Sequence, residues 1–356
     1  MNPENRKIPP WWMFKLLLWT IEQLENLVKK LMPAEMRVLK AASGHCSTQI
    51  IHAAQTLGIL DVLHSHSKTL EQISEELQLN ISSLFRFMRG LRTMGIVDRN
   101  GGYYFLTPSG EKLCSSGNLY NQCLIMGSYW QDALSRLPDS IKTGAKSLNS
   151  EFEDDFFRYL NRNKDASALF DNSMMELTST FIPALLAEYD FSPYRHVVDV
   201  GGGTGLLLYS ILEKYQSMEG TLFDVCSVIE NTPKKYTDRC HWVSGSFFEE
   251  VPTNGDLYLL KLILHDWSDD KCIQILKNCR NAMKQGNKLL LMEYTIDADF
   301  ERQFVRIYLD LLMMVMLDGK ERSPGQFSTI LATCGFQMTK VIPTRSTITI
   351  IEAQAC

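Results

Sequence analysis

The chain has no Cys-x-x-Cys pair among its nine cysteines, no apolar run long enough to cross a bilayer, and no surplus of positive charge. Without paired thiols there is no zinc ribbon or disulfide framework to read, and the scattered cysteines are those of a reduced, cytoplasmic protein. Cys272 and Cys279, two helical turns apart, read as core side chains rather than ligands. A net charge of −5 offers phosphate no general attraction and argues against nucleic-acid binding by the chain as a whole. The apolar stretch Trp11-Trp12-Met13-Phe14-Lys15-Leu16-Leu17-Leu18-Trp19 is too short to span a membrane and lacks a small-residue cleavage site after it. It continues at helical spacing through Ile21, Leu24, Leu27, Val28 and Leu31, with Glu22, Glu25, Lys29 and Lys30 elsewhere on the wheel. An amphipathic helix over residues 11–31 is expected to pack on this chain or on a partner subunit. The tryptophans make weak contact with a membrane surface the alternative.

At 356 residues of ordinary composition, the chain is too long for one small core. Four segments are expected: a helical extension over 1–40, a winged-helix-like unit over 41–115, a helical connector over 116–190, and an α/β domain over 191–356. In the second, Thr69 is placed to cap one helix and Ser82 or Ser83 the next. A hairpin then turns through Asn100-Gly101-Gly102. Arg86, Arg89 and Arg92, three apart on the second helix, raise a DNA-reading function. The acidic helix before them (Glu71, Glu75, Glu76) opposes it. The connector carries Tyr129, Trp130, Phe152, Phe156, Phe157, Phe170, Met174, Met175 and Phe181, which fill a core or wall an apolar pocket. From Tyr194 onward strands alternate with helices, predicting a mostly parallel sheet that ends in a hairpin around Pro343-Thr344-Arg345.

The richest stretch is Val197-Val198-Asp199-Val200-Gly201-Gly202-Gly203-Thr204-Gly205, a buried strand running into a glycine-rich turn that opens a helix. Glycines there let the backbone turn sharply and approach a ligand that a Cβ would block. The dinucleotide fingerprint G-x-G-x-x-G fails, because Leu206 occupies its last glycine position. Gly201, Gly203 and Gly205 fit G-x-G-x-G, preceded by the strand acid Asp199, as in S-adenosylmethionine-dependent methyltransferases. Asp224 ends the next strand, where a carboxylate accepts hydrogen bonds from ribose hydroxyls. Ser246 and Phe247 follow the third strand, placed to bond the adenine amine and press on the purine face.

Leu264-His265-Asp266-Trp267-Ser268-Asp269 follows a fourth strand, Asp256–Leu260, that leads into Lys261. His265 therefore lies at the carboxyl edge of the sheet, beside the cofactor, with Ser268 as an expected helix cap. A sulfonium methyl is already electrophilic, so an enzyme must mainly align it and deprotonate the acceptor. An imidazole suits that task, and a carboxylate on its other nitrogen fixes the tautomer. Glu293 and Glu321 are the candidate orienters.

These residues resemble the small-molecule O-methyltransferases of the caffeate and hydroxyindole (acetylserotonin) type. The resemblance runs from near Ala41 to the C-terminal hairpin and is carried by the glycine block, the Leu264–Asp269 block and Gly319-Lys320-Glu321-Arg322. It implies a Rossmann-like methyltransferase domain with a seven-stranded, mostly parallel sheet, and a helical winged-helix domain that dimerises the chain. It also implies His265 as general base flanked by Glu293 and Glu321, and Asp199, Gly201, Gly203, Asp224, Ser246, Phe247 and Lys261 around S-adenosylmethionine, which leaves as S-adenosylhomocysteine. Phe170, Met174, Asp266, Met313 and Met316 fall at the acceptor pocket, and no metal is needed. One departure stands out: Ser246 replaces the family's usual Asp, exchanging a charge-assisted hydrogen bond for one about half as strong. The expectation is methyl transfer to a phenolic or enolic hydroxyl of a hydrophobic small molecule. Transfer to carbon or nitrogen, and a non-catalytic ligand-sensing DNA-binding protein, are the alternatives.

Overall fold

The computed structural model describes residues 9–148, 155–296 and 304–356. Phe152 lies outside them. The chain divides into two compact units, residues 9–131 with 172–177, and residues 132–171 with 178–356.

The first unit is helical. It begins with α1 (Trp11–Leu31), α2 (Ala34–Ala42), α3 (Gly44–Thr56), α4 (Ile59–Ser65), α5 (Leu70–Glu76) and α6 (Ile81–Thr93). The hairpin of β1 (Val97–Asn100) and β2 (Tyr103–Leu106) follows, and α7 (Tyr120–Gly127) comes after it. Its core gathers Ala54, Ile59, Leu60, Ile73, Met88, Leu91 and Tyr104. Thr69 caps α5 in a capping box with Gln72. At α6 the cap is Asn80, before both Ser82 and Ser83 and separated from them by Ile81. Its amide oxygen accepts from the Ser83 N–H at 3.0 Å, so Ser83 donates where it was expected to accept. The hairpin turn is the pair Gly101-Gly102, both at positive φ, with Asn100 already paired to Tyr103. Helix α1 buries none of its side chains. Trp12, Leu17, Trp19 and Leu24 stand more than half exposed, as do Met36, Val38 and Leu39 of α2. Among the described residues no helix is long and apolar enough to cross a membrane.

The second unit begins with α8 (Tyr129–Leu134), whose first residues belong to the first unit, then α9 (Leu137–Thr143), α10 (Phe156–Arg162) and α11 (Lys164–Glu188). Residues 116–190, read from the sequence as one connector, are thus shared. In the middle of α11, Glu176 accepts from the backbone N–H groups of Asn121 and Gln122, and Ser173 donates to Gln122 Oε1, tying that stretch to the first unit.

The sheet follows: β3 (His196–Val200), α12 (Leu206–Lys214), β4 (Glu219–Asp224), α13 (Cys226–Asn231), β5 (Cys240–Ser244), β6 (Leu257–Lys261), α14 (Asp269–Ala282), β7 (Lys288–Glu293), α15 (Phe304–Met316), α16 (Pro324–Thr333), β8 (Phe336–Pro343) and β9 (Thr349–Ala355). Its spatial order is β5-β4-β3-β6-β7-β9-β8. All neighbours are parallel except β9, which runs antiparallel to both β7 and β8. The central strands are apolar on both faces, as a sheet covered on both sides requires. Cys272, Ile275, Leu276 and Cys279 of α14 pack with Phe327, Ile330 and Leu331 of α16 on one shared core. From β3 the chain winds one way to β4 and β5, and from β6 the other way to β7. The switch point between β3 and β6 opens a crevice at their carboxyl ends, the place where such sheets bind ligands.

Candidate active site

The glycine turn at the end of β3 is held in conformations that L side chains rarely adopt, with φ of +68° at Gly201 and +57° at Gly203. A Cβ on Gly201 would meet Ile263 at 2.6 Å and Phe247 at 3.6 Å, so the turn touches both the segment after β5 and the segment after β6. A Cβ on Gly203 would meet nothing within 4 Å, leaving open space above the loop. The Gly203 N–H donates to Asp224 Oδ2 at 2.8 Å and the Val225 N–H to Oδ1 at 2.7 Å. The Asp224 carboxylate thereby locks the loop to the end of β4, and each oxygen keeps a lone pair for a ribose hydroxyl. Burial pushes this carboxyl up, and the two backbone donors pull it down.

Below the loop, Asp199 is 1 % exposed and its oxygens lack a hydrogen bond of ordinary geometry. Desolvation raises its pKa to about 7, against the pull of the Lys261 ammonium. Burial lowers Lys261, while Asp199, Glu293 and Asp266 hold it up. Lys261 therefore stands electrostatically between the glycine end of the crevice and the histidine end. Ser246 Oγ accepts from the Phe248 N–H at 3.3 Å, and Asn278 and Gln274 of α14 donate to the carbonyls of Phe247 and Phe248. Phe247 and Phe248 pack edge-on against Trp267, which stacks on Phe157 at 5.6 Å; Phe157 in turn meets Phe170. An aromatic wall thus runs from Phe247 and Phe248 to α11. An orphaned buried carboxylate, an open glycine cradle and a strand-end acid fit an adenosyl ligand.

The histidine end is built from three distant segments. Leaving β6, Leu262 adopts φ +52°, a left-handed conformation that costs a non-glycine residue roughly 1–3 kcal/mol. That bend aims the next two N–H groups at Glu293 Oε1, which accepts from Ile263 at 3.2 Å and Leu264 at 2.9 Å. A 3₁₀ turn over Leu264–Asp266 then presents His265, 8 % exposed. Its Nδ1–H donates to Glu321 Oε1 at 2.9 Å, and Nε2 lies 3.4 Å from Asp266 Oδ1. Burial alone would lower the imidazole pKa, but the carboxylates of Asp266, Glu321 and Glu293 outweigh it and carry it up to about 10. Glu293 is pushed up by burial to about 7 and Asp266 to about 6. One ligand atom each of His265, Glu293 and Glu321 lie within 4.8 Å of one another. His265 Nδ1 is bonded to Glu321 Oε1 and Glu293 Oε1 accepts from two backbone N–H groups, whereas Oε2 of each glutamate lacks a hydrogen-bond partner.

His265, Asp266, Glu293 and Glu321 are therefore brought together, but only Glu321 bonds the imidazole. The Glu293 contacts are with the backbone of the turn, a correction that follows from the Leu262 bend. Ser268 occupies the N-cap of α14 without a side-chain capping bond. Met313 and Met316 are buried on α15 beyond Asp310, whose Oδ1 accepts from the Glu321 N–H at 2.8 Å. Phe170 belongs with the second unit and Met174 with the first. Leu262, Trp267, Asn278, Asp310, Gly319 and Arg322 have no individual role in the sequence reading. Of these, Gly319 and Arg322 flank Glu321 in the block already singled out, which was the available signal.

The chain matches the O-methyltransferase domain model over residues 134–337 and the O-methyltransferase dimerisation domain model over residues 39–116. It belongs to the family of S-adenosylmethionine-dependent O-methyltransferases, and is an enzyme of that activity. It is 33 % identical to a phenazine O-methyltransferase of Lysobacter antibioticus, over 93 % of this chain and 99 % of that one. It is 32 % identical to the O-demethylpuromycin-O-methyltransferase of Streptomyces alboniger, over 86 % and 85 %. A solved O-methyltransferase from neocarzinostatin biosynthesis, in complex with S-adenosylmethionine and 2-hydroxy-5-methyl naphthoic acid, superposes with a TM-score of 0.76 at 28 % identity, over 89 % and 98 % of the two chains.

Proposed function

We propose that this enzyme methylates a phenolic or enolic hydroxyl of a hydrophobic small molecule, with His265 as general base. The observation that carries the reading is the Nδ1–Glu321 hydrogen bond of 2.9 Å, which leaves Nε2 as the nitrogen able to take a proton. Glu321 fixes that tautomer and stabilises the imidazolium formed as the acceptor oxygen is deprotonated. Glu293 holds the turn through its two backbone bonds, and Asp266, 3.4 Å from Nε2, would meet the acceptor hydroxyl. The aromatic wall at Trp267 and Phe170, with Met313 and Met316, supports a flat apolar acceptor. S-adenosylmethionine supplies an electrophilic methyl group. Gly201, Gly203, Asp224, Ser246, Phe247, Lys261 and Asp199 would hold it, with Asp199 on the cationic portion.

The reaction is proposed to need no metal, a reading supported by the bond between His265 Nδ1 and Glu321 Oε1 and by the two backbone N–H groups on Glu293 Oε1; a chelator should leave the rate unchanged. The assembly is proposed to be a homodimer. Its support is the dimerisation-domain match and the exposed apolar side chains that run from α1 through Met36, Val38 and Leu39 into the matched segment. Light scattering of a chain with Leu17, Trp19 and Leu24 replaced by Ser tests it: a monomer is expected. An unchanged dimer together with lost vesicle binding would assign α1 to a membrane surface instead.

The direct test of the base is a screen of phenols for turnover by mass spectrometry, followed by His265→Ala on the acceptor found. Retained S-adenosylmethionine binding with most turnover lost is expected. An unchanged rate removes the base assignment.

A further inference from the structure

Beneath His265 two segments remote in sequence meet backbone against backbone. A Cβ on Gly319 would lie 2.0 Å from the His265 carbonyl oxygen and 2.9 Å from Asp266 Cα, so the strand-like approach of residues 319–322 leaves no room for a side chain there. Three residues on, Arg322 is fully buried, at 0 % exposure. Its Nη1 donates to the Leu264 carbonyl at 2.8 Å and its Nη2 to the Trp267 carbonyl at 2.7 Å, the carbonyls on either side of His265 and Asp266. Nε and Nη2 also donate to Asp269 Oδ1 at 3.0 and 2.8 Å. One planar guanidinium thus spans both ends of the catalytic turn and is oriented by a carboxylate beyond it, a fork that a lysine ammonium cannot reproduce. Its sequence neighbour Glu321 holds the imidazole ring of the same turn.

We propose that Arg322 is a positioning residue: by gripping the carbonyls of Leu264 and Trp267 it holds the turn in the place where His265 Nδ1 meets Glu321, and so sets the proton affinity of His265. This rests on the reading of His265 as the base. The groups facing His265 are Asp266 from its own turn, Glu293 from β7 and Glu321 from the segment before α16. Lys261 at the end of β6 faces Asp266 and Glu293.

The test uses the full chain labelled with ¹³C at histidine Cε1, with the His265 resonance identified by its loss in His265→Asn. Its titration is followed by NMR in the parent protein, Arg322→Gln and Arg322→Lys, and S-adenosylmethionine binding is measured on each by calorimetry. Removing a positive charge would by itself raise the His265 midpoint. The proposal expects the opposite, a fall of about one pH unit or more in Arg322→Gln, because the ring loses its Glu321 partner. Arg322→Lys keeps the charge but not the fork, and its midpoint should fall by a smaller amount. A midpoint that rises or stays fixed in Arg322→Gln while the cofactor still binds overturns the proposal. If that variant does not fold, an unchanged midpoint in Arg322→Lys overturns it equally. The base assignment fails separately: turnover that survives His265→Ala removes the base and leaves the titration result standing.

Discussion

The two ends of the crevice are built by opposite strategies. At the glycine end, loop, acid and aromatic come from the ends of β3, β4 and β5, and the decisive contacts are backbone groups gripped by one carboxylate, as in Gly203 and Val225 on Asp224. At the histidine end, side chains 56 residues apart meet, and their charges dominate one another. Contiguous strand ends make a site that loses affinity by increments. Convergent side chains make one whose parts fail together.

Substitution at each end should expose that contrast, most strongly at His265. His265→Ala is expected to lower turnover by roughly 10²–10⁴-fold with unchanged S-adenosylmethionine affinity, a split readable by pairing single-turnover rates with calorimetry. Loss of affinity in that variant would mean the two ends are one site. Asp224→Ala should do the reverse. Charge-assisted hydrogen bonds of about 1.5–3 kcal/mol correspond to a cofactor Kd weaker by about 10–100-fold, with turnover at saturating cofactor much less affected. The pH profile comes next in size. With His265 raised to about 10, the imidazole is protonated at neutral pH and cannot accept, so kcat/KM should climb as pH rises toward that value. Glu321→Gln removes a carboxylate that raises the imidazole pKa, so the limb should move to lower pH even as the maximum rate drops. A profile that does not shift would detach Glu321 from the base. The smallest effect is expected at Ser246→Asp, which restores a charged partner and should tighten cofactor binding by a few-fold. No tightening would show that the hydroxyl already makes the contact its Phe248 bond leaves open.

The same contrast explains what could be read in advance. A strand followed by glycines is local, so the Gly201–Gly205 turn, Asp224 and the sheet edge bearing His265 were legible from the sequence. The parallel order and terminal hairpin followed from alternating strands and helices. Which glutamate touches the ring was not legible. It depends on the left-handed backbone of Leu262, which turns two N–H groups toward Glu293 and leaves the imidazole to Glu321. Nothing in an isoleucine- and leucine-rich strand end announces that bend. Arg322 was hidden for a related reason: besides Asp269, its partners are carbonyl oxygens, which every residue has. The shift of the α6 cap from Ser82 or Ser83 to Asn80 was a choice among three adjacent capping residues that only the observed helix start resolves.

Strand β9 follows β8 in the sequence yet lies between β7 and β8, and Thr349 sits opposite Glu293. During synthesis β8 therefore leaves the ribosome before its sole strand partner exists, while the Leu289–Leu291 flank of β7 stays open to anything that can pair with it. Only when residues 349–355 slot in is the strand that ends in Glu293 enclosed on both sides. The strand that anchors the histidine turn is thus enclosed only by residues that come after every side chain of the candidate site in the sequence.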